Sequence, residues 1–331
     1  MATQEAFASD PSQPTWEPPP PLELDGSPET TQNNDPQDNP RAEILTRAVR
    51  ELSQLCSSTA ARSRLQDFLA IWRDPQQPAG HRVQPNALAW FQASEPLATA
   101  IRHGREDVLP ILLAHGITPE RPDVWAALEA AESTGSRTAL TLLLEGGWGI
   151  DQPVNENATP ILGCVVQDQD LVVWCLALGA SPNASSPMGQ TAMHRAAAFG
   201  SLETLKLLVS HGGAIAGTDV VAHAALAYCN GSKGRVEVID YLLDSGVSID
   251  EYYMGHSERW NTPTNSLFLT YGRQNALHFA ISFGKKELVE MLLLRGADRS
   301  VGMFSLRTKL KKSQSRELAL LLGHEDIAML L

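Results

Sequence analysis

Glycines in this chain recur as pairs twelve residues apart: Gly104/Gly116, Gly135/Gly147, Gly200/Gly212, Gly234/Gly246 and Gly284/Gly296, with Gly323 opening a last copy that stops at Leu331. Three residues after the first glycine of most pairs stands an acid: Asp107, Glu203, Glu237, Glu287 or Asp326, with Thr138 the exception. Each pair encloses an apolar block such as LPILLAHG, LKLLVSHGG or LVEMLLLRG. A fixed spacing of turn glycine, acid, apolar block and capping glycine describes a short helix with marked ends. The acid suits the positive end of the helix dipole, and the closing glycine suits the left-handed residue that ends a helix. Repetition at such a period is the mark of a repeat array, in which each unit buries its apolar face only against its neighbours.

The segment Thr191–Ala214, TAMHRAAAFGSLETLKLLVSHGGA, shows one unit at its clearest. Met193, Ala196 and Ala197 lie on one face of a first helix, and Gly200-Ser201 break it. Leu205, Leu207, Leu208 and Val209 then give a second helix its buried face. A further copy, Thr159–Ala180, has Gln167 and Asp168 in place of the turn glycine but keeps Asp170 and the ending LALGA.

These residues resemble the ankyrin repeat, a unit of about 33 residues with a T-P-L-H-x-A signature. Thr191-Ala-Met-His194-Arg-Ala196 and Asn275-Ala-Leu-His278-Phe-Ala280 match it best. Thr159-Pro160-Ile161 keeps the opening, with Gly163 near the histidine position; RGAD at Arg295–Asp298 and GHEDIAMLL at the end are also typical. The resemblance covers Pro96 to Leu331 in seven copies. It implies an all-α solenoid of right-handed, stacked helix-turn-helix units, and a protein-binding scaffold working through its concave face and loop tips. On that analogy, contact residues would include Arg195 and Phe199 in the fourth copy and Phe279 and Phe283 in the sixth. Phe199 and Phe283 each precede a turn glycine, a place that also suits packing. His194 and His278 occupy the signature position, where the family uses the imidazole to hydrogen-bond neighbouring backbone.

Outside the array the chain changes character twice. Residues 1–40 hold eight acids, no Lys or Arg and nine prolines, with little to bury, and read as a disordered acidic tail. Its Thr15–Leu24 stretch, TWEPPPPLEL, favours polyproline II. Those eight acids carry most of the net −12; the remaining 26 basic and 30 acidic residues leave only −4. The charge balance does not favour nucleic acid or an anionic membrane. Residues 41–95 carry Ile44, Leu45, Ala48, Val49, Leu52 and Leu55 at helical spacing. Leu65, Phe68, Leu69 and Trp72 follow, ending before Pro75, and then Asn86–Gln92. This stretch is expected to be a helical cap on the first repeat, or a small partner-binding module of its own.

Two stretches interrupt the spacing. Between Gly246 and Asn275 the chain runs about twenty residues longer than the repeat needs, and this insertion, 251–273, holds Tyr252, Tyr253, Met254, Trp260, Phe268 and Tyr271. Aromatic residues are enriched at binding hot spots, so these are candidate partner contacts, against the alternative that they pack the loop onto the array. Arg299–Arg316 carries Arg307, Lys309, Lys311, Lys312 and Arg316 and reads as a basic loop before the last copy.

The chemistry of an enzyme does not emerge. The chain has no phosphate-binding glycine motif, no H-E-x-x-H and no G-x-S-x-G. His103, His223, His256 and His324 show no partner at a spacing that suggests a triad or a metal site. The four cysteines lack metal spacing and read as reduced core thiols. No cofactor, metal or small-molecule ligand is expected. The first ten residues lack the basic and apolar regions of a secretory signal, and no run reaches the roughly 18 apolar residues of a membrane span. The expectation is a cytoplasmic or nuclear protein-interaction scaffold. The alternatives are a targeting or regulatory subunit of an enzyme complex, and a chromatin-associated factor using the basic loop 307–316.

Overall fold

The structure, a computed structural model, describes residues 40–59, 62–74, 83, 85–155, 158–253, 274–305 and 310–331. The expected acidic tail, Trp260, Phe268, Tyr271, Arg307 and Lys309 lie outside these residues. The chain divides into two compact units, Met1–Ile117 and Thr118–Leu331.

In the first unit, α1 (Pro40–Ser57) packs on α2 (Arg62–Ile71), α3 (Pro85–Ala93) and α4 (Pro96–Arg102). Leu45, Ala48, Leu52 and Leu55 face inward from α1 at the spacing the sequence predicts. Phe91 of α3 is fully buried and meets the rings of Phe68, at 5.8 Å, and Trp72, edge-on at 5.6 Å. Each such ring buried is worth roughly 1.5–3 kcal/mol. A short 3-10 turn (Glu106–Val108) leads into α5 (Leu109–Ala114). The first repeat, α4 and α5, thus shares its core with the helices that precede it.

The second unit holds the remaining copies as helix pairs: α6 (Arg121–Thr134) with α7 (Thr138–Glu145), α8 (Ile161–Cys164) with α9 (Gln169–Ala177), and α10 (Ala192–Phe199) with α11 (Leu202–Ser210). They continue with α12 (Val220–Cys229) and α13 (Arg235–Asp244), α14 (Ala276–Ser282) and α15 (Lys286–Leu294), and α16 (Ser315–Leu321) and α17 (Glu325–Ala328). First helices pack in one row, α8 on α10, α10 on α12, α12 on α14 and α14 on α16. Second helices form the other layer, with α11 against α13 and α15 against α17. The apolar faces are those the repeat pattern assigns: Met193, Ala196 and Ala197 are buried in α10, Leu205 and Leu208 in α11, while Leu207 and Val209 are half-buried.

The ends are built as the sequence implies. Thr191 and Asn275 each cap a first helix reciprocally with the histidine three residues on, and the Ser201 hydroxyl accepts the Thr204 amide. The recurring glycines take the left-handed backbone, Gly212 at φ 87° and Gly246 at φ 84°. Gly200 differs, with φ −75°. Glycine is needed there for space, since a Cβ would stand 3.0 Å from the Ala196 Cα and 3.2 Å from the Val166 carbonyl oxygen.

Two features lie outside the helical plan. The basic loop contains a two-stranded antiparallel hairpin, β1 (Met303–Ser305) with β2 (Leu310–Ser313). Arg235, at the start of α13, is buried at 4 % exposure and reaches back to the preceding copy. Its guanidinium donates to the carbonyls of Ala197 at 2.8 Å, Ala196 at 3.3 Å and Gly200, and its Nε to Lys233 O at 2.9 Å. It caps the carboxyl end of α10, where a cation suits the dipole. No helix among the described residues is long and apolar enough to cross a membrane.

Candidate functional site

The row of first helices carries an exposed apolar side chain just before the turn glycine in three copies. Phe199, Phe283 and Leu322 are 42 %, 40 % and 41 % exposed. The Arg195 guanidinium lies over the Phe199 ring, 4.6 Å from its centroid, in a cation–π contact. Arg195 and Phe199, named from the sequence, therefore form one pair on α10, the ring exposed and the arginine half-buried. Phe279 does not join them. It is fully buried and meets the ring of Tyr253 edge-on at 5.4 Å, so it is a core residue.

Tyr252 and Tyr253, at the entrance of the 251–273 insertion, are half-buried and turned onto the array. The Tyr252 hydroxyl donates to Gly302 O at 2.9 Å, fifty residues on. The Tyr253 amide donates to Gln274 O at 2.8 Å, joining the two ends of the insertion. Its ring sits between Phe279 and His223, 4.4 Å from the imidazole. These two tyrosines hold the root of the insertion against copies five and six.

Beneath Tyr253 lies a polar cluster that sequence reasoning missed. His194 Nε2 is 2.9 Å from Asp219 Oδ1, and His223 Nδ1 is 3.7 Å from Asp219 Oδ2 and 3.2 Å from the Asp219 carbonyl. Thus His223, read from the sequence as without an acid partner, has one four residues earlier on its own helix. That spacing was a usable signal; the contact with His194, 25 residues before Asp219, was not. Burial pushes the His223 imidazole down to about 4, and His278, which faces Val301 O at 2.9 Å, down to about 4 as well. Both rings are neutral at pH 7. The cysteines are all free thiols. Burial raises Cys164 and pushes Cys56, Cys175 and Cys229 up to about 12, which suits core thiols.

Two family models match this part of the chain. The model described as ankyrin repeats (3 copies) covers residues 161–253, and that described as ankyrin repeats (many copies) covers residues 222–293. Residues 161–293 of the chain are ankyrin repeats. The matched stretch runs from α8 through α15 and so includes the Arg195–Phe199 pair, the Asp219 cluster and the root of the insertion. Ankyrin repeats are in general protein–protein interaction modules, and the row of first helices repeats one exposed apolar position in three copies.

Proposed function

We propose that this ankyrin-repeat chain is a non-enzymatic scaffold of the cytoplasm or nucleus that holds a protein partner along its row of first helices. The observation that carries this is the recurrence of Phe199, Phe283 and Leu322 at one position of three copies, each about two-fifths exposed. A core residue is buried; a residue that a repeat leaves apolar and exposed at one register is suited to a partner's surface. Arg195 over Phe199 adds an aromatic–arginine pair, the composition of binding hot spots. The aromatic residues of the insertion, Trp260, Phe268 and Tyr271, extend the same proposal beyond Tyr252 and Tyr253, which anchor the loop that carries them.

The test is capture of a partner from native cells, followed by titration of the purified partner against Phe199→Ala and Phe283→Ala. Each substitution is expected to weaken binding about 5- to 30-fold, from roughly 1–2 kcal/mol per truncated hot-spot ring. Stability should move by no more than about 0.5 kcal/mol, as for exposed sites in general. A partner bound equally well by both variants refutes the assignment of this face.

A further inference from the structure

Copy five breaks the repeat pattern at two neighbouring positions. Copies four and six open their first helices with Thr191 and Asn275 and place a histidine three residues later. Copy five opens with Asp219, has Ala222 at the histidine position, and carries His223 one residue beyond it. One residue turns a side chain by about 100° around a helix. His223 is thereby brought against the signature histidine of copy four, the two rings 4.8 Å apart and edge to face. His278 in copy six spends its Nε2 on a backbone carbonyl of the next copy, Val301 O. His194 meets a carboxylate instead. The result is two imidazoles and one carboxylate whose ligand atoms all lie within 4.8 Å of one another. The three residues are 8 %, 3 % and 6 % exposed for His194, Asp219 and His223.

We propose that His194 Nε2, the Asp219 carboxylate and His223 Nδ1 bind one transition-metal dication of the zinc type. Ligands at about 2.0–2.2 Å around a tetrahedral ion stand about 3.3 Å apart. His194 Nε2, 2.9 Å from Asp219 Oδ1, and His223 Nδ1, 3.7 Å from Asp219 Oδ2, each stand within about 0.4 Å of that value from a carboxylate oxygen. Two nitrogen donors and one oxygen select zinc, cobalt or copper over magnesium or calcium, which take oxygen. Three protein ligands leave the fourth corner to water.

The outer groups suit such a site. His194 Nδ1 lies 2.9 Å from Thr191 Oγ1, and His223 Nε2 lies 3.5 Å from the Gln190 side-chain amide. Metal-ligating histidines donate their other N–H to an acceptor; the Thr191 hydroxyl is one as it stands, and Gln190, whose amide nitrogen faces His223, becomes one when its amide turns over. Without metal, the Thr191 amide donates to His194 Nδ1 at 3.1 Å, so the ring proton sits on Nε2 and is donated to Asp219. On loading, each imidazole moves its single proton to the ring nitrogen that faces away from the ion. His194 Nδ1–H then donates to Thr191 Oγ1, giving up the Thr191 amide contact, and the Gln190 amide turns over so that its side-chain oxygen accepts His223 Nε2–H. No net proton is released, because both rings keep one. The ring of Tyr253 covers His223, so metal enters as copy five folds or as the chain around Tyr253 moves aside.

The experiment uses the full-length, untagged chain, unfolded with a chelator and refolded with zinc or cobalt(II). One equivalent of metal should survive gel filtration, cobalt should give visible ligand-field bands, and zinc should raise the unfolding temperature. Asp219→Asn and His223→Gln, each checked for native circular dichroism, should lose at least ten-fold in metal affinity. His278→Gln, an equally buried histidine with no carboxylate, should keep the wild-type affinity. A folded wild-type chain that retains no zinc and shows no cobalt bands overturns the proposal whatever the variants do. So does metal held equally by folded His223→Gln, which would place it elsewhere in the chain.

Discussion

Arg235 offers the sharpest test of how the copies are joined. Replacing it with Met keeps most of the apolar stem and deletes the guanidinium. Of the three carbonyls it caps in copy four, that of Ala196 also accepts the Gly200 amide at 2.9 Å and stays paired. Those of Ala197 and Gly200 lose their donor. A buried acceptor left without a partner costs about 1–3 kcal/mol, so two cost about 2–6 kcal/mol. Part of this is offset, because burying a cation whose hydrogen bonds all go to neutral carbonyls is itself unfavourable; burial pulls the guanidinium below its usual proton affinity, against a smaller upward pull from the Glu237 carboxylate. The expected net loss is about 2–4 kcal/mol. Stability in a repeat array is transmitted through nearest-neighbour joints, so the loss should concentrate at α10–α13. Urea unfolding followed by circular dichroism gives the total, and hydrogen exchange gives its location. Arg235→Lys, which lacks the planar fork, should recover only part of it. If Arg235→Met unfolds within about 0.5 kcal/mol of wild type, or loses protection evenly along the chain, the joint does not depend on this side chain.

Two further outcomes follow from backbone and titration. Glu95 has φ 49° and ψ 54°, in the left-handed region, without being glycine. Glu95→Gly should stabilise the first unit by about 0.5–1 kcal/mol in a denaturant titration, since its 3.5 Å contact with Arg102 is exposed and contributes little. His278 sits at about 4 in the fold against an ordinary 6.5. Its contribution is fully present above pH 6.5 and falls away as pH drops toward 4, because the unfolded chain takes up the proton first; the full difference is about 3 kcal/mol. Unfolding measured from pH 7.5 to 4 should therefore be less steep in His278→Gln, and an unchanged slope would refute the assignment.

What the sequence made legible was whatever the chain writes locally. Gly212, Ser201 and Glu203 mark the ends of α11 within eleven positions of one another, and each acts through backbone groups close to it. The two-helix unit and its buried leucines could be read for the same reason. The sites were less legible because they depend on contacts between copies. Phe279 looked like a surface residue until Tyr253, brought across by the insertion, covered it. Arg235 sits just after a turn glycine, where a charged residue normally faces water, and only the stacking of copy five on copy four buries it. The β1–β2 hairpin was read as a loop because its residues show neither alternation nor β-branched enrichment.

The joint between copies four and five is made by side chains in both directions: His194 reaches forward to Asp219, and Arg235 reaches back to the end of α10. At His278 and Val301 the forward link of a signature histidine ends on backbone, which any residue supplies, and the side-chain pairs that join copies five and six, Arg295 with Asp240 and Asp244, are solvent-exposed or half-buried. Copies that meet through backbone can be exchanged, deleted or duplicated with little regard to sequence. Copies four and five cannot, since removing either strands a buried charge or a buried imidazole on the other. An array assembled by shuffling units would carry this pair as a single heritable block.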